Sequence, residues 1–393
     1  MKKVCLFHLP KMDNFHGYSI DSLDPLPYFP SGRSSWGRAL VRRRLTNSAA
    51  IDEMYRTKDA SYMRFVRDFI DKFSDADLII LSTYNPIHPN VLDQHFKKPI
   101  KVLGFIDDPV CAYTAGIAYL WAFDAAFYIS PSYNDHLLYK DALRSWGCPQ
   151  SYWWPLVPPS GKGAEGNFFW PLVSPRAIAA ERGDSFFRDR DRDLIYVGGA
   201  YDSKLDRLIE LRQKLGKRLE IYGRWRLSGY WGAVRGLVGK RALWSRVRTI
   251  SDDQRAEFYY RTKIGIDLHW SERLETGNMR MYEVPAHGMM LLCNKAGMNA
   301  HEQIFVPDKE AVFYDSVQDA VDKAKYYLAH DEEREKIARA GFERVHRDYD
   351  GEMGLKKFLD WASTLPIKES APGNTGSADL RGSFPTATRV QQV

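Results

Sequence analysis

The sequence predicts an α/β protein made of two Rossmann-like domains, and three observations carry that reading. Short apolar runs with strand character alternate with stretches of helical spacing through both halves, the pattern of a parallel sheet covered by helices. The chain has 393 residues, more than one ordinary core accommodates. Between the halves, residues 148–175 turn rich in Pro, Trp, Gly and Phe and lose all periodicity, as an interdomain connection does.

Composition narrows the class. Hydrophobic residues make up 44% and charged residues 27%, ordinary values for a globular protein in water. No run approaches the roughly 18 apolar residues that span a bilayer, and the basic N-terminus lacks the long apolar region of a secretion signal. Cys5, Cys111, Cys148 and Cys293 lie far apart, which fits reduced thiols better than a disulfide framework or a zinc site and points to a cytoplasmic protein. The net charge of +6 is modest, but it is unevenly spread.

In the first half, residues 4–8 read as a buried strand ending in His8, followed by a long irregular loop through Pro10, Pro25, Pro27 and Pro30. Residues 33–45 interleave five arginines with Trp36, Leu40, Val41 and Leu45. That pattern suits contact with an anionic lipid or substrate, and a solvated helix face accounts for it as well. Residues 63–73 have helical spacing, and residues 78–82, 100–106 and 123–129 are further strands, the second of them running into Asp107-Asp108-Pro109.

The second half restarts with the strand 193–197 and the pair Gly198-Gly199, then a helical stretch from Lys204 to Leu215 and the strand 219–222 ending in Gly223. Residues 224–248 carry seven basic residues, no acidic ones and three tryptophans. Such a patch suits a membrane or acceptor surface or plain solvation, and no recognisable nucleic-acid module accompanies it. Residues 317–328, 332–347 and 355–365 are amphipathic helices, and from about residue 368 the composition reads as a disordered tail.

The chemistry concentrates in residues 275–288, Glu-Thr-Gly-Asn-Met-Arg-Met-Tyr-Glu-Val-Pro-Ala-His-Gly, between the strand-like runs 264–269 and 289–293. Two carboxylates, an arginine and a glycine loop leading into a helix over 279–287 lie beyond a strand's carboxyl end, where open α/β sheets bind ligands and helix amides attract phosphate. A bare Glu-x7-Glu spacing is a weak signal, and its setting gives it weight.

In that setting the chain resembles the GT-B glycosyltransferases, and among them the CgeB-like, group 1 type. The residues that carry the likeness are 194–199, 219–223, 280–288, 305–310 and 331–341, with a looser agreement at 105–109 and 123–124. The resemblance implies two Rossmann-like domains facing each other across a cleft. Residues 1–155 would form an acceptor domain, 156–190 a connection, 191–350 a nucleotide-sugar donor domain, 351–366 a C-terminal helix and 367–393 a tail.

It also implies roles for individual residues. Glu283 would hold the nucleotide ribose, since a carboxylate accepts from both ribose hydroxyls. Glu275, near the amides of Gly277 and Asn278, would face the donor sugar, with Arg280 on the diphosphate. Gly198, Gly199, Lys204, Tyr222, Gly223, Arg224 and Tyr282 complete the expected donor site. Asp107, or its neighbour Asp108, and His8 are the acceptor-side candidates, the first to orient or deprotonate a hydroxyl. Each has an ordinary structural alternative: a helix cap for the aspartates, a buried satisfied histidine for His8, core packing for Tyr222.

Adjacent Asp-Asp is not the spaced Asp-x-Asp of metal-dependent transferases, so catalysis without a metal or other cofactor is expected. The expected activity is transfer of a sugar from a nucleotide diphosphate to a hydroxyl of a glycan, lipid-linked or cell-surface polysaccharide acceptor, with retention. It would take place in the cytoplasm or at the inner membrane face, with peripheral membrane contact through residues 33–45 and 224–248 and no nucleic-acid partner. A nucleotide-sugar epimerase and a non-catalytic nucleotide-sugar-binding partner are the alternatives on the same fold.

Overall fold

A computed structural model describes residues 1–6, 11–30, 35–45, 47–82, 86–105, 116–129, 132–134, 137–155, 175–199, 202–223, 249–268, 280–295 and 304–366. They form two parallel sheets and a small hairpin.

The first sheet has seven strands: β1 (Lys2–Leu6), β2 (Met12–Phe15), β3 (Tyr18–Asp21), β4 (Leu78–Ser82), β5 (Ile100–Phe105), β6 (Ala125–Tyr128) and β9 (Ser151–Trp153). Their order is β2-β3-β1-β4-β5-β6-β9, parallel except for β2 at the edge. The strands β7 (Ser132–Asn134) and β8 (Leu137–Leu138) pair only with each other.

One expectation fails at this edge. The stretch after β1, read as an irregular loop, contains the hairpin β2–β3. His16 and Gly17 take positive φ, 47° and 89°, and close it in the two-residue turn that suits the twist of paired strands.

One face of the sheet is covered by the domain's own helices α1 (Ser35–Leu45), α2 (Ser48–Arg56), α3 (Ala60–Phe73), α4 (Pro89–His95) and α5 (Tyr139–Ser145). Phe65, Phe69, Phe73, Ile79, Leu81 and Leu103 are buried there.

The other face is covered from the far end of the sequence. Val4, Leu6, Ile80, Phe127 and Trp154 pack against Leu355, Phe358 and Leu359 of the last helix, α13 (Gly351–Ala362). The Phe358 ring stacks on Trp154 with centroids 4.4 Å apart, and the Tyr18 hydroxyl donates to Asp360 at 2.9 Å. Local alternation of strands and helices therefore does not account for both faces.

The second sheet is formed by β10 (Arg192–Val197), β11 (Leu219–Tyr222), β12 (Thr262–Asp267), β13 (Met290–Asn294) and β14 (Val312–Tyr314). It is wholly parallel in the order β11-β10-β12-β13-β14. Both faces are buried, so the strands read as continuous apolar runs. Leu194, Tyr196, Ile264, Ile266 and Leu292 share a core with α8 (Asp202–Leu215) and α11 (Val317–Ala329). Ile195, Leu291 and Cys293 share one with α9 (Asp252–Arg261), α10 (Arg280–Ala286) and α12 (Asp331–Asp348).

Part of the expected connection belongs to this domain. Within residues 156–190 lie α6 (Pro175–Arg182) and α7 (Ser185–Arg188), and Phe186 and Phe187 are buried in the second core. Arg190 fastens them: its guanidinium donates to the carbonyls of Phe186 (3.1 Å), Tyr259 (2.9 Å), Thr262 (2.6 Å) and His287 (2.8 Å). Burial pulls its pKa down to about 9, with Arg334 and Arg182 adding repulsion.

Among the described residues no helix is long and apolar enough to cross a membrane. Cys5, Cys148 and Cys293 are buried and outside any disulfide.

Candidate functional site

In the second sheet the strand order reverses direction between β10 and β12, so the helices that follow these two strands leave on opposite faces. The carboxyl ends of β10 and β12 therefore flank the crevice in which open α/β sheets take their ligands. Five of the expected donor residues lie at or next to it: Gly198, Gly199, Gly223, Arg280 and Glu283.

Gly198 follows β10, and its N–H donates to the Tyr222 carbonyl of β11 at 2.9 Å. A Cβ at 198 would lie 2.2 Å from Arg280 Nη2 and 3.2 Å from the Tyr196 hydroxyl. Gly223 has φ +137°, and a Cβ there would lie 2.1 Å from the Gly198 carbonyl oxygen. Backbone atoms thus require glycine at 223, whereas at 198 the close neighbour is the far end of the Arg280 side chain. Gly199 accepts from the Tyr196 hydroxyl at 2.9 Å.

Arg280 opens α10 and reaches across the switch point. Its Nε donates to the Val197 carbonyl of β10 at 2.7 Å, and its Nη1 to Asp267 Oδ1 of β12 at 2.5 Å. The guanidinium carbon sits 4.6 Å from the centre of the Tyr196 ring, in cation–π range. Burial opposes its charge, but Tyr196 and Asp267 outweigh burial and its pKa is raised. Arg280 therefore enters the site as half of an ion pair and not as a lone cation. Asp267, completely buried, also takes the Cys293 thiol at 3.9 Å on Oδ2, while its carbonyl accepts from the Tyr314 hydroxyl at 3.2 Å.

Glu283 lies one turn further along α10 and is buried, with Oε1 3.6 Å from Nη1 of Arg255 on α9. Tyr259, one turn after Arg255 on the same face of α9, is held in neutral form by burial and then by the Glu283 charge. His287 closes the segment: its Nδ1–H donates to the Glu283 carbonyl at 2.7 Å, and burial pulls its pKa down to about 3. Pro285 inside α10 and Gly288, at φ +72°, end the helix early, close to the expected 279–287 span.

The remaining expected residues are placed differently. Lys204 is buried in the first turn of α8. Tyr282 packs in the core against Tyr349, at 5.2 Å, and Phe305. The Tyr222 hydroxyl turns back along the sheet, 2.5 Å from Glu220 Oε2 and 3.5 Å from Arg192, with its ring against Phe258. That polar end is engaged away from the strand's carboxyl end. His8, Asp107, Asp108, Arg224, Glu275, Gly277 and Asn278 lie outside the described residues, as does the basic stretch 224–248.

In the first domain, sequence reading passed over His88, which follows β4 and precedes α4. Its Nδ1 accepts the Asn90 N–H at 3.2 Å, its Nε2 faces Asp52 at 3.5 Å, and its ring stacks on Tyr55 with centroids 4.0 Å apart. Burial lowers its pKa.

Two partners of the residues at the switch point were also missed. Asp267 read as one letter inside the strand-like run 264–269, although a carboxylate in an apolar run is itself a signal. Arg255 sits on another helix, and nothing in its local spacing points to Glu283. Among the described residues no group of His, Cys, Asp and Glu has the geometry to hold a metal ion.

Residues 205–360 match the glycosyl transferase-like family. Three solved structures share the fold. HepE from Anabaena in complex with UDP and glucose aligns with a TM-score of 0.54 at 10% identity, over 90% of this chain and 88% of that one. An alpha-glucosyltransferase in complex with UDP-glucose and DNA containing an abasic site gives 0.54 at 12% identity, over 76% and 83%. Sucrose-phosphate synthase from Thermosynechococcus elongatus gives 0.53 at 15% identity, over 77% of each. No curated protein matches the chain by sequence. The chain thus shares the GT-B fold of these structures, and its residues 205–360 are similar to the glycosyl transferase-like family.

Proposed function

We propose that the protein transfers a sugar from a UDP-sugar to a hydroxyl acceptor, with retention at the anomeric carbon and without a metal ion. The observation that carries this reading is the meeting of Gly198, Arg280 and Asp267 where the second sheet changes direction, with Glu283 buried one turn further along the same helix as Arg280. Similar structures hold UDP or UDP-glucose, and the choice of uridine for this chain rests on them.

In this reading Glu283 accepts from the ribose hydroxyls. Arg280, whose charge Asp267 already balances, serves as an oriented donor to the diphosphate, with Lys204 in the first turn of α8 as the second cation. Breaking the sugar–phosphate bond builds negative charge on the leaving oxygen, and donors fixed before the reaction lower that barrier without reorganising. Glu275 contacts the sugar, and the acceptor hydroxyl approaches from the first domain near Asp107 and His8. The CgeB-like subtype is part of the same proposal.

The acceptor is a glycan or lipid-linked glycan brought to a cytoplasmic membrane face. In α1, Val41 and Leu45 are buried while Arg38, Leu40, Arg42, Arg43 and Arg44 are exposed, which suits an anionic surface. Incubating the purified protein with UDP-glucose, UDP-galactose and UDP-N-acetylglucosamine and measuring UDP release tests the activity. Release that Glu283→Ala and Arg280→Ala abolish supports it; no binding of any UDP compound by the native protein overturns it.

A further inference from the structure

We propose that His88 is a pH-operated latch on α4: the neutral ring caps the first turn of that helix, and the protonated ring lets it go. The latch lies in the first domain, in the stretch between β4 and α4, and it stands whether or not the transferase reading holds.

The geometry carries the proposal. His88 is the N-cap of α4, a helix of seven residues whose first position is Pro89. Proline has no N–H, so the Asn90 N–H is the first that the helix has to satisfy. It donates to His88 Nδ1 at 3.2 Å. That places the proton of the neutral ring on Nε2, which faces Asp52 Oδ1 of α2 at 3.5 Å. The residue is held on two further sides. Its own N–H donates to the buried hydroxyl of Tyr62 on α3 at 2.9 Å, and its ring lies flat on Tyr55 of α2, with 6° between the planes.

A second proton on the ring has only Nδ1 to go to. There it turns the acceptor into a donor that faces another donor, and the cap is lost. Asp52 attracts the cation so formed, but its carboxylate is half exposed and is shared with Arg56 Nε at 3.2 Å. Lys58, just past α2, repels the cation. Tyr62 of α3 and Tyr119 of the short 3-10 turn Ile117–Ala122 are held neutral by burial and supply no charge. Burial of His88 outweighs Asp52, so it titrates below the ordinary 6.5. The latch is therefore fully closed above about pH 6.5 and opens as the pH falls, because the released turn takes up a proton that the capped turn refuses. Val91 and Leu92 stay buried in the first core, which confines the release to the first turn.

Hydrogen exchange of the full-length protein at pH 7.5, 6.5 and 5.5, corrected for the intrinsic pH dependence of exchange, tests the latch in a peptide covering residues 89–96, with peptides from β4 and β5 as the internal reference. Protection of α4 in the native protein should fall about fivefold between pH 7.5 and 5.5, the worth of a helix N-cap, while the reference strands keep theirs. His88→Asn retains a capping oxygen that does not titrate, so its protection should be the same at all three values. If that variant does not fold, His88→Ser, also a capping residue, takes its place under the same criteria. Native protection that does not change with pH overturns the proposal, and so does a loss of equal size in the His88 variant.

Discussion

The guanidinium of Arg280 occupies the space that a side chain at position 198 would fill, with Nη2 2.2 Å from where the Cβ would be. The arginine and the glycine are therefore a matched pair across the sheet's switch point, and the site depends on what residue 198 lacks.

Gly198→Ala pushes the end of a flexible side chain aside, whereas Gly223→Ala drives a Cβ to 2.1 Å from a backbone oxygen at φ +137°. The first should cost about 1–2 kcal/mol of stability and weaken UDP binding about tenfold or more. The second should cost about 3 kcal/mol or more. Urea denaturation and calorimetry separate the two; equal stability losses contradict the assignment of the close contacts.

Asp267→Asn leaves Arg280 charged, largely buried and without its counter-ion. Removing one partner of such a pair costs about 3–5 kcal/mol. Adding Arg280→Met should recover at least half of that loss without recovering UDP binding. A double variant no more stable than the sum of the single losses shows that the pair is not coupled.

His287 is brought by burial from an ordinary 6.5 to about 3, and His346 is lowered by burial too. Between those values the unfolded chain binds a proton that the folded protein does not. Stability from His287 is therefore complete above about pH 6.5 and declines as the pH falls, by about 1.4 kcal/mol per pH unit. Urea titrations at pH 7.5, 6.5 and 5.5 measure the slope. His287→Gln, which can still donate to the Glu283 carbonyl, should flatten it, and an unchanged slope assigns it to other groups.

Phe358→Ala opens a cavity against Trp154 and Phe127, in the first domain. The expected loss is about 3–5 kcal/mol. Limited proteolysis should then cut the first domain ahead of the second, although the substitution lies near the end of the sequence. Preferential cutting of the second domain contradicts the packing of α13.

Most strands were legible because both faces of a parallel sheet are buried, and runs such as Leu78–Ser82 and Met290–Asn294 carry almost no polar residue. The hairpin β2–β3 was not, because an exposed edge strand such as Met12–Phe15, with Asp13 and Asn14, resembles a loop. In the site, Glu283, Arg280 and the glycines stood out by position after strands. The partners that give them their geometry did not: Asp267 meets Arg280, and Arg255 meets Glu283, only once three separate elements are assembled. Tyr222 shows the converse, a residue at the right place in the sequence whose hydroxyl folds back toward Glu220.

The covering of the first sheet by α13 bears on the order in which the protein is made. Synthesis at roughly 5–20 residues per second delivers Leu355, Phe358 and Leu359 on the order of ten seconds or more after Trp154. Until then Val4, Leu6, Ile80 and Phe127 form an apolar surface with nothing over it, the kind of surface that recruits chaperones. Of the two domains described, the earlier in the sequence is thus the later to be completed.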